Sequence, residues 1–223
     1  MVVAGETPKT VNTEIWNGSA WTEVNNYPIA TQDLGAWGTS TDSIAGAGYS
    51  TANTGLSAFW NGSAWTEVAE MATARNGVNR GGMGSDSTAG IFAGGDSGSK
   101  TNVTEEWSAP ANFTQINLGQ VYYNSGSNAF KVTGLSGASG TWSSGGALPQ
   151  VMNQGTGCGV GNTSGMAMTG SSPPGSTVTS TAFQYDGTNW TEVAELNTAK
   201  SNASSAKNSP IATTLNYAGD GPG

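Results

Sequence analysis

Histidine is absent from these 223 residues. That removes imidazole as general base, proton shuttle or metal ligand, and with it the His-based triads, the usual zinc sites and most copper sites. Cysteine occurs once, as Cys158, so no internal disulfide can form; its setting, Gly-Cys-Gly-Val-Gly, suits a small buried thiol. Charge is scarce too: Asp, Glu, Lys and Arg make up 10% of the chain, where an ordinary domain has roughly a quarter. The seven basic residues are scattered and the net charge is −8. Phosphate recognition needs a basic stripe, so nucleic acid is not an expected partner. No run stays apolar for the ~20 residues of a membrane-spanning helix, so no membrane insertion is expected. The opening MVVAGETPK lacks the basic and apolar regions of a signal peptide. No segment sustains a helical period.

What the chain does have is glycine, 34 residues of it, and aromatic side chains: eight Trp, six Tyr and five Phe. Low charge with abundant Gly, Ser and Asn is also the composition of disorder. Aromatics recurring at fixed intervals argue instead for a core. The nine residues WNGSAWTEV stand unchanged at 16–24 and 60–68, and YDGTNWTEV at 185–193 is a third copy. The likeness continues from AEMATAR (69–75) to AELNTAK (194–200). A further copy is interrupted: VTEEW at 103–107 matches the stretch ending at Trp16, but its second Trp arrives only at Trp142. First aromatics are thus Trp16, Trp60, Trp107 and Tyr185; second aromatics are Trp21, Trp65, Trp142 and Trp190. Six residues after each second Trp stands an apolar residue, Tyr27, Met71, Leu148 or Leu196.

Each unit reads as strands. Asn17-Gly18, Asn61-Gly62 and Asp186-Gly187 sit between the two aromatics and supply the turn of a tight hairpin. TEIW, SAFW, AWTEV and NWTEV alternate as strands do. Glycine-rich apolar runs, such as 77–84 and 87–95, supply two more strands where backbones approach closely. The result is about four strands per unit with units near 1–47, 48–94, 95–169 and 170–218, the third enlarged by an insertion at 108–141. That is the size of a four-stranded β-propeller blade. Stacked blades would bury the aromatic pairs, so all eight are expected in the core. The insertion holds its own hairpin, QVYY and NAFKV. It lies at a hairpin tip, where added chain leaves the core intact. If it contacts a partner or receptor, Tyr122, Tyr123, Phe130 and Lys131 are the contact residues. The chain opens on a unit's second strand and closes just after the corresponding one. Either the ends share one blade and close a four-bladed ring, or the units are a segment of a larger propeller. Pairing of 212–219 with the first hairpin would show closure.

Catalytic constellations are missing. Asp96, Asp186 and Asp220 are isolated acids in turn sequences, whereas calcium loops gather several oxygens. Glu23, Glu67 and Glu192 occupy one position in three different units, so no carboxylate pair forms between them. No Gly-x-Ser-x-Gly elbow precedes a helix, and no glycine run carries the Lys of a phosphate loop. Neither metal nor cofactor is expected, and the chain reads as no enzyme.

The order apolar strand, Gly-Gly, aromatic strand, hairpin, Trp strand resembles the kelch repeat, with IFAGGDSG at 91–98 the fullest copy. In that motif position Gly-Gly is complete only at Gly94-Gly95. The resemblance implies an all-β, kelch-like β-propeller of four-stranded antiparallel blades, with four repeat units in this chain. WNGSAWTEVAEMATAR, GQVYYNSGSNAFKVT (119–133) and GTWSSGGALP (140–149) are further similar to kelch-like repeat proteins of tailed, particularly aquatic, bacteriophages. This implies a virion structural protein, a tail, fibre or appendage component that displays loops for host recognition or assembly. Its partners would be other virion proteins, further copies of itself, or a glycan or protein of the host surface. The alternative from the residues is a secreted, lectin-like propeller that stacks sugars on exposed Trp.

Overall fold

The computed structural model describes residues 1–6, 8–78, 82–109, 121–124, 129–132, 140–172, 177–205 and 216–221, and none of them is helical. The first sheet comprises β1 (Val2–Gly5), β2 (Thr10–Trp16) and β3 (Trp21–Val24) in that order. The second holds four strands in sequence: β4 (Gly35–Gly38), β5 (Ser43–Gly46), β6 (Ser57–Trp60) and β7 (Trp65–Glu67). In the third, β8 (Ala89–Ala93) and β9 (Thr104–Ser108) are followed by the separate hairpin β10 (Val121–Asn124) and β11 (Ala129–Val132), and then by β12 (Thr141–Ser144), which pairs with β9. The fourth orders β13 (Thr156–Gly161), β14 (Ser164–Met168), β17 (Ala182–Tyr185) and β18 (Trp190–Glu192), with the small ribbon β15 (Ser171–Ser172) and β16 (Thr177–Val178) between β14 and β17. A last ribbon pairs β19 (Ser204–Ser205) with β20 (Asn216–Tyr217). All named pairings are antiparallel, and none of those described joins the two ends of the chain.

Why do four local hairpin units stack? The answer is a backbone device repeated in each. After the second strand of the second, third and fourth sheets and of the last ribbon the chain turns through two residues with positive φ: Ala47-Gly48 (62° and 108°), Gly94-Gly95 (69° and 107°), Thr169-Gly170 (58° and 107°) and Ala218-Gly219 (57° and 102°). The second member is glycine for a steric reason. A Cβ on Gly48, Gly95, Gly170 or Gly219 would stand 2.9, 2.6, 2.8 or 2.7 Å from the carbonyl oxygen of Gln32, Asn76, Asn153 or Ser201. Those four residues form reciprocal bridges with the residue after each doublet, for example Asp96 N to Asn76 O at 2.8 Å and Asn76 N to Asp96 O at 3.0 Å. Gly48, Gly95 and Gly170 also donate to the carbonyls of Arg75, Met152 and Lys200 at 2.8–2.9 Å.

The next residue along, Asp33, Gly77, Gln154 or Asn202, is again left-handed in each unit, with φ of 52–59°. Here the units join. Gly77 N donates to Asp33 O (3.0 Å), Gln154 N to Gly77 O (3.2 Å) and Asn202 N to Gln154 O (3.0 Å). A line of backbone hydrogen bonds thus runs from one inner edge to the next, and the sheets converge along it.

Side chains fill the wedges between sheets. Tyr27, Ala45 and Ala58, with Val3, Leu34 and Trp65, lie between the first and second sheets. Trp37, Ile44, Phe59, Val78, Phe92 and Trp107 lie between the second and third. Met83, Ile91, Leu148, Phe183, Tyr185 and Trp190 lie between the third and fourth. Trp37 is the residue that repeat reasoning passes over. It is fully buried, its indole donates to Asp86 O (2.8 Å), and Cβ atoms on Gly82, Gly84 or Gly90 would stand within 2.5 Å of its ring. The glycine run is therefore the mould for one indole. Among the described residues the third sheet's inner segment pairs through the bridge Met83 to Ile91.

Thr169 is β-branched, left-handed, buried, and its hydroxyl has no hydrogen-bond partner among the described atoms. Thr169→Gly relieves both defects and is expected to raise stability by about 1–2 kcal/mol. Gly95→Ala meets the Asn76 carbonyl and should lower it by about 2 kcal/mol or more. Midpoints of urea unfolding check both signs.

Candidate functional site

Of the acids singled out from sequence, Asp96 and Asp186 are occupied in turns. Asp186 Oδ1 accepts from Thr188 N and Asn189 N, both at 2.8 Å, as Asn17 and Asn61 accept from their own hairpin tips at 2.9–3.0 Å. Those backbone donors hold the Asp186 carboxyl below its ordinary pKa. Asp96 accepts from Gly98 N (2.8 Å) and Asp220 from the Asn202 amide (2.7 Å). Glu23, Glu67 and Glu192 are exposed and lie on three different sheets. Among the described residues no group of His, Cys, Asp and Glu could hold a metal ion.

The strongest electrostatic feature is structural. Arg75 is fully buried and paired with buried Glu105. Its other donors reach Gly94 O (2.9 Å), Thr73 O (3.1 Å) and Phe92 O (3.2 Å). Glu105 also accepts from Ala72 N (2.7 Å) and Thr73 N (3.1 Å). Both charges are hydrogen-bonded throughout, as burial demands. Burial pulls the guanidinium's pKa down, and Glu105 opposes that shift. Sequence offered a faint sign: Arg75 ends the MATAR copy where Lys200 ends NTAK.

The aromatic pairs keep one geometry through all four units. Ring centroids are 5.7 Å apart for Trp16–Trp21, 5.3 Å for Trp60–Trp65, 5.5 Å for Trp107–Trp142 and 4.8 Å for Tyr185–Trp190. Their second members reach back to the preceding sheet: Trp65 Nε1 donates to Thr13 Oγ1 (2.9 Å), Trp142 Nε1 to Ala69 O (3.0 Å) and Trp190 Nε1 to Thr104 Oγ1 (3.1 Å). Trp60, Trp107, Tyr185 and Trp190 are buried, while Trp65 and Trp142 are half-buried. Trp16 and Trp21 depart from the expected core role, with exposures of 47% and 53%. The cause is plain: no described sheet lies on the outer side of the first one.

Among the described residues no strand pairs with the free edge of β1 as β4 and β13 pair with β5 and β14. In its place is a hollow of about 350 Å³ lined by Val2, Val3, Gln32, Leu34 and Ala36. A second hollow, about 280 Å³, lies against Val2, Ala4, Asn12 and Glu14. The insertion's hairpin pairs Tyr122 with Lys131 and Tyr123 with Phe130 in backbone register. The side chains of Tyr122, Tyr123, Phe130 and Lys131 lie outside the described part of the structure.

Trp107→Ala should cost about 3–5 kcal/mol, whereas Trp21→Ala should fall within about 0.5 kcal/mol of the parent; guanidinium unfolding ranks them. Burial, with a hydrogen bond donated to Glu106, pushes the Tyr185 phenol up to about 12; burial also raises Tyr27, with Glu67 adding to the effect. Unfolded phenols ionise near 10, so stability is complete below that pH and falls as pH climbs toward 12. Replacing both by Phe should flatten the fall, as read by urea midpoints across that range.

No family model matches the chain, and no curated protein matches its sequence. Among solved structures, one titled "Structure of YjhT" superposes with a TM-score of 0.61 at 9% identity. The match covers 87% of this chain, which spans 65% of the other protein's length. At that identity the likeness is one of fold: a helix-free, β-propeller-like succession of small antiparallel sheets.

Proposed function

We propose that this chain is a non-enzymatic display and assembly module of kelch-like propeller type, serving as a tail, fibre or appendage component of a tailed-phage virion. The observation that carries the display role is the insertion. Between Trp107 and Trp142 the chain leaves the sheet, builds the β10–β11 hairpin and returns, yet β9 and β12 keep full register from Thr141–Ser108 to Ser144–Glu105. A scaffold that carries extra chain at a tip without loss of pairing suits recognition through variable loops. The turn roles of Asp96 and Asp186, together with a sequence without histidine, support the non-enzymatic reading. The virion assignment rests on the sequence resemblance of the 60–75, 119–133 and 140–149 stretches.

The lectin-like reading has one observation of its own, the exposed Trp16–Trp21 pair, since sugars stack on such rings. Two measurements separate the readings. Antibody raised against the chain should label tails or appendages of particles from its source; absence from purified particles rejects the virion role. Replacing residues 110–139 by an Asn-Gly turn should leave the melting temperature within a few degrees and abolish adsorption to host cells. Retained adsorption, or glycan-array binding lost on Trp21→Ala, favours the lectin.

A further inference from the structure

We propose that the exposed hairpin-tip asparagines Asn17 and Asn61 are sites of self-catalysed deamidation, each tip cradling its own side-chain amide as an oxyanion hole cradles a reacting carbonyl. The tips are the turns of β2–β3 and β6–β7, and both read Asn-Gly-Ser-Ala. In the first, Asn17 Oδ1 accepts from Ser19 N (2.9 Å), Ser19 Oγ (3.0 Å) and Ala20 N (2.9 Å). In the second, Asn61 Oδ1 accepts from Ser63 N (3.0 Å), Ser63 Oγ (3.1 Å) and Ala64 N (2.9 Å). Three donors on one amide oxygen polarise the carbon it is bonded to. They already stand where negative charge gathers when a nucleophile adds to that carbon.

The nucleophile is the backbone nitrogen of the following glycine. Among the described residues neither Gly18 N nor Gly62 N donates a hydrogen bond, and the Nδ2 groups of Asn17 and Asn61 are likewise unengaged. Both asparagines are exposed to water. Gly18 and Gly62 have positive φ (103° and 94°); a Cβ on Gly18 would meet nothing within 4 Å and one on Gly62 nothing closer than 3.4 Å, so a ring can form. In the step, the glycine nitrogen gives its proton to solvent base and bonds to the asparagine Cγ. The Cγ–Nδ2 bond breaks, and the amide takes up a proton and leaves as ammonia. Water then opens the succinimide, at the former Cγ to give aspartate or at the backbone carbonyl to give isoaspartate.

Two positions in the same chain supply the contrast. Asn76-Gly77 is the same dipeptide on the inner edge, but Gly77 N is committed to Asp33 O (3.0 Å) in the line that joins units. The Asn76 amide donates to Asn53 Oδ1, and a Cβ on Gly77 would stand 2.5 Å from the Asn153 amide. Ring closure there would break the bond between units. Asp186 holds the tip position in the fourth sheet, and Thr188 N and Asn189 N seat its carboxylate as the equivalent donors seat Asn17. The aspartate product therefore fits the turn. Each conversion adds a negative charge to the row of tips from which the insertion also leaves.

Peptide mapping by mass spectrometry of the folded chain, held in mildly alkaline buffer, reads each site separately. Asn17 and Asn61 should convert at least about tenfold faster than Asn76. In urea the three rates should draw together, because only the fold distinguishes the sites. Ser19→Ala and Ser63→Ala each remove one donor and keep the backbone bonds of the turn. Each should slow its own tip several-fold in the folded chain and leave the rate in urea unchanged. Tips that stay intact in the folded chain, or Asn76 converting as fast as they do, overturn the proposal. Serine variants that react at the parent rate also overturn it. None of these outcomes bears on whether the chain belongs to a virion.

Discussion

Each unit's inner edge is closed by a carbonyl oxygen fitted into the space where a glycine has no Cβ, and that closure sets the neighbouring residue to join the next unit. At Gly48, Gly95, Gly170 and Gly219 the same backbone oxygen comes within 3 Å of the missing atom, and the left-handed residues 33, 77, 154 and 202 pass a hydrogen bond from unit to unit. This constraint is written in backbone, so it tolerates drift in everything else. The doublet's first residue can be Gly, Ala or Thr, since the left-handed well costs roughly 1–2 kcal/mol rather than a clash. Its second residue has no such freedom.

Indole burial follows from that stacking. A Trp pair has the same internal geometry in each unit, but its exposure is set by whether a sheet precedes it. Trp107 is completely covered and Trp16 is half bare, although the two stand at one position of the repeat. Stability in such an array is a sum of unit and nearest-neighbour terms, and side chains contribute through the neighbour they meet. The hydroxyls of Thr13 and Thr104, each accepting from the next unit's indole, give those interfaces direction as well as area.

Local features were legible in the sequence and non-local ones were not. WNGSAW and YDGTNW announced hairpins because the turn, its Asx-type bonds and the cross-strand pair all lie within six residues. The Trp142 return was legible despite the insertion because Leu148 keeps its distance of six. Trp37 was illegible: its mould is Gly82, Gly84 and Gly90, some fifty residues away. The Arg75–Glu105 pair spans 30 residues and recurs in no other unit described. Three of the four doublets were disguised because Ala47, Thr169 and Ala218 occupy a conformation for which glycine is the usual marker. Exposure of Trp16 and Trp21 could not be read from a motif identical to the buried one, since the motif says nothing of its neighbour.

The ion pair at the second interface also orders assembly in time. A guanidinium cannot shed its water until an oppositely charged group awaits it, and Glu105 belongs to the third sheet while Arg75 leaves the second. Removing either partner would leave the other charge bare in an apolar wedge, a larger penalty than losing hydrocarbon contacts. The pair couples the second and third sheets, so the central two units are expected to open together, which hydrogen exchange would read. Salt should barely loosen it, since no ionic atmosphere reaches a pair so enclosed.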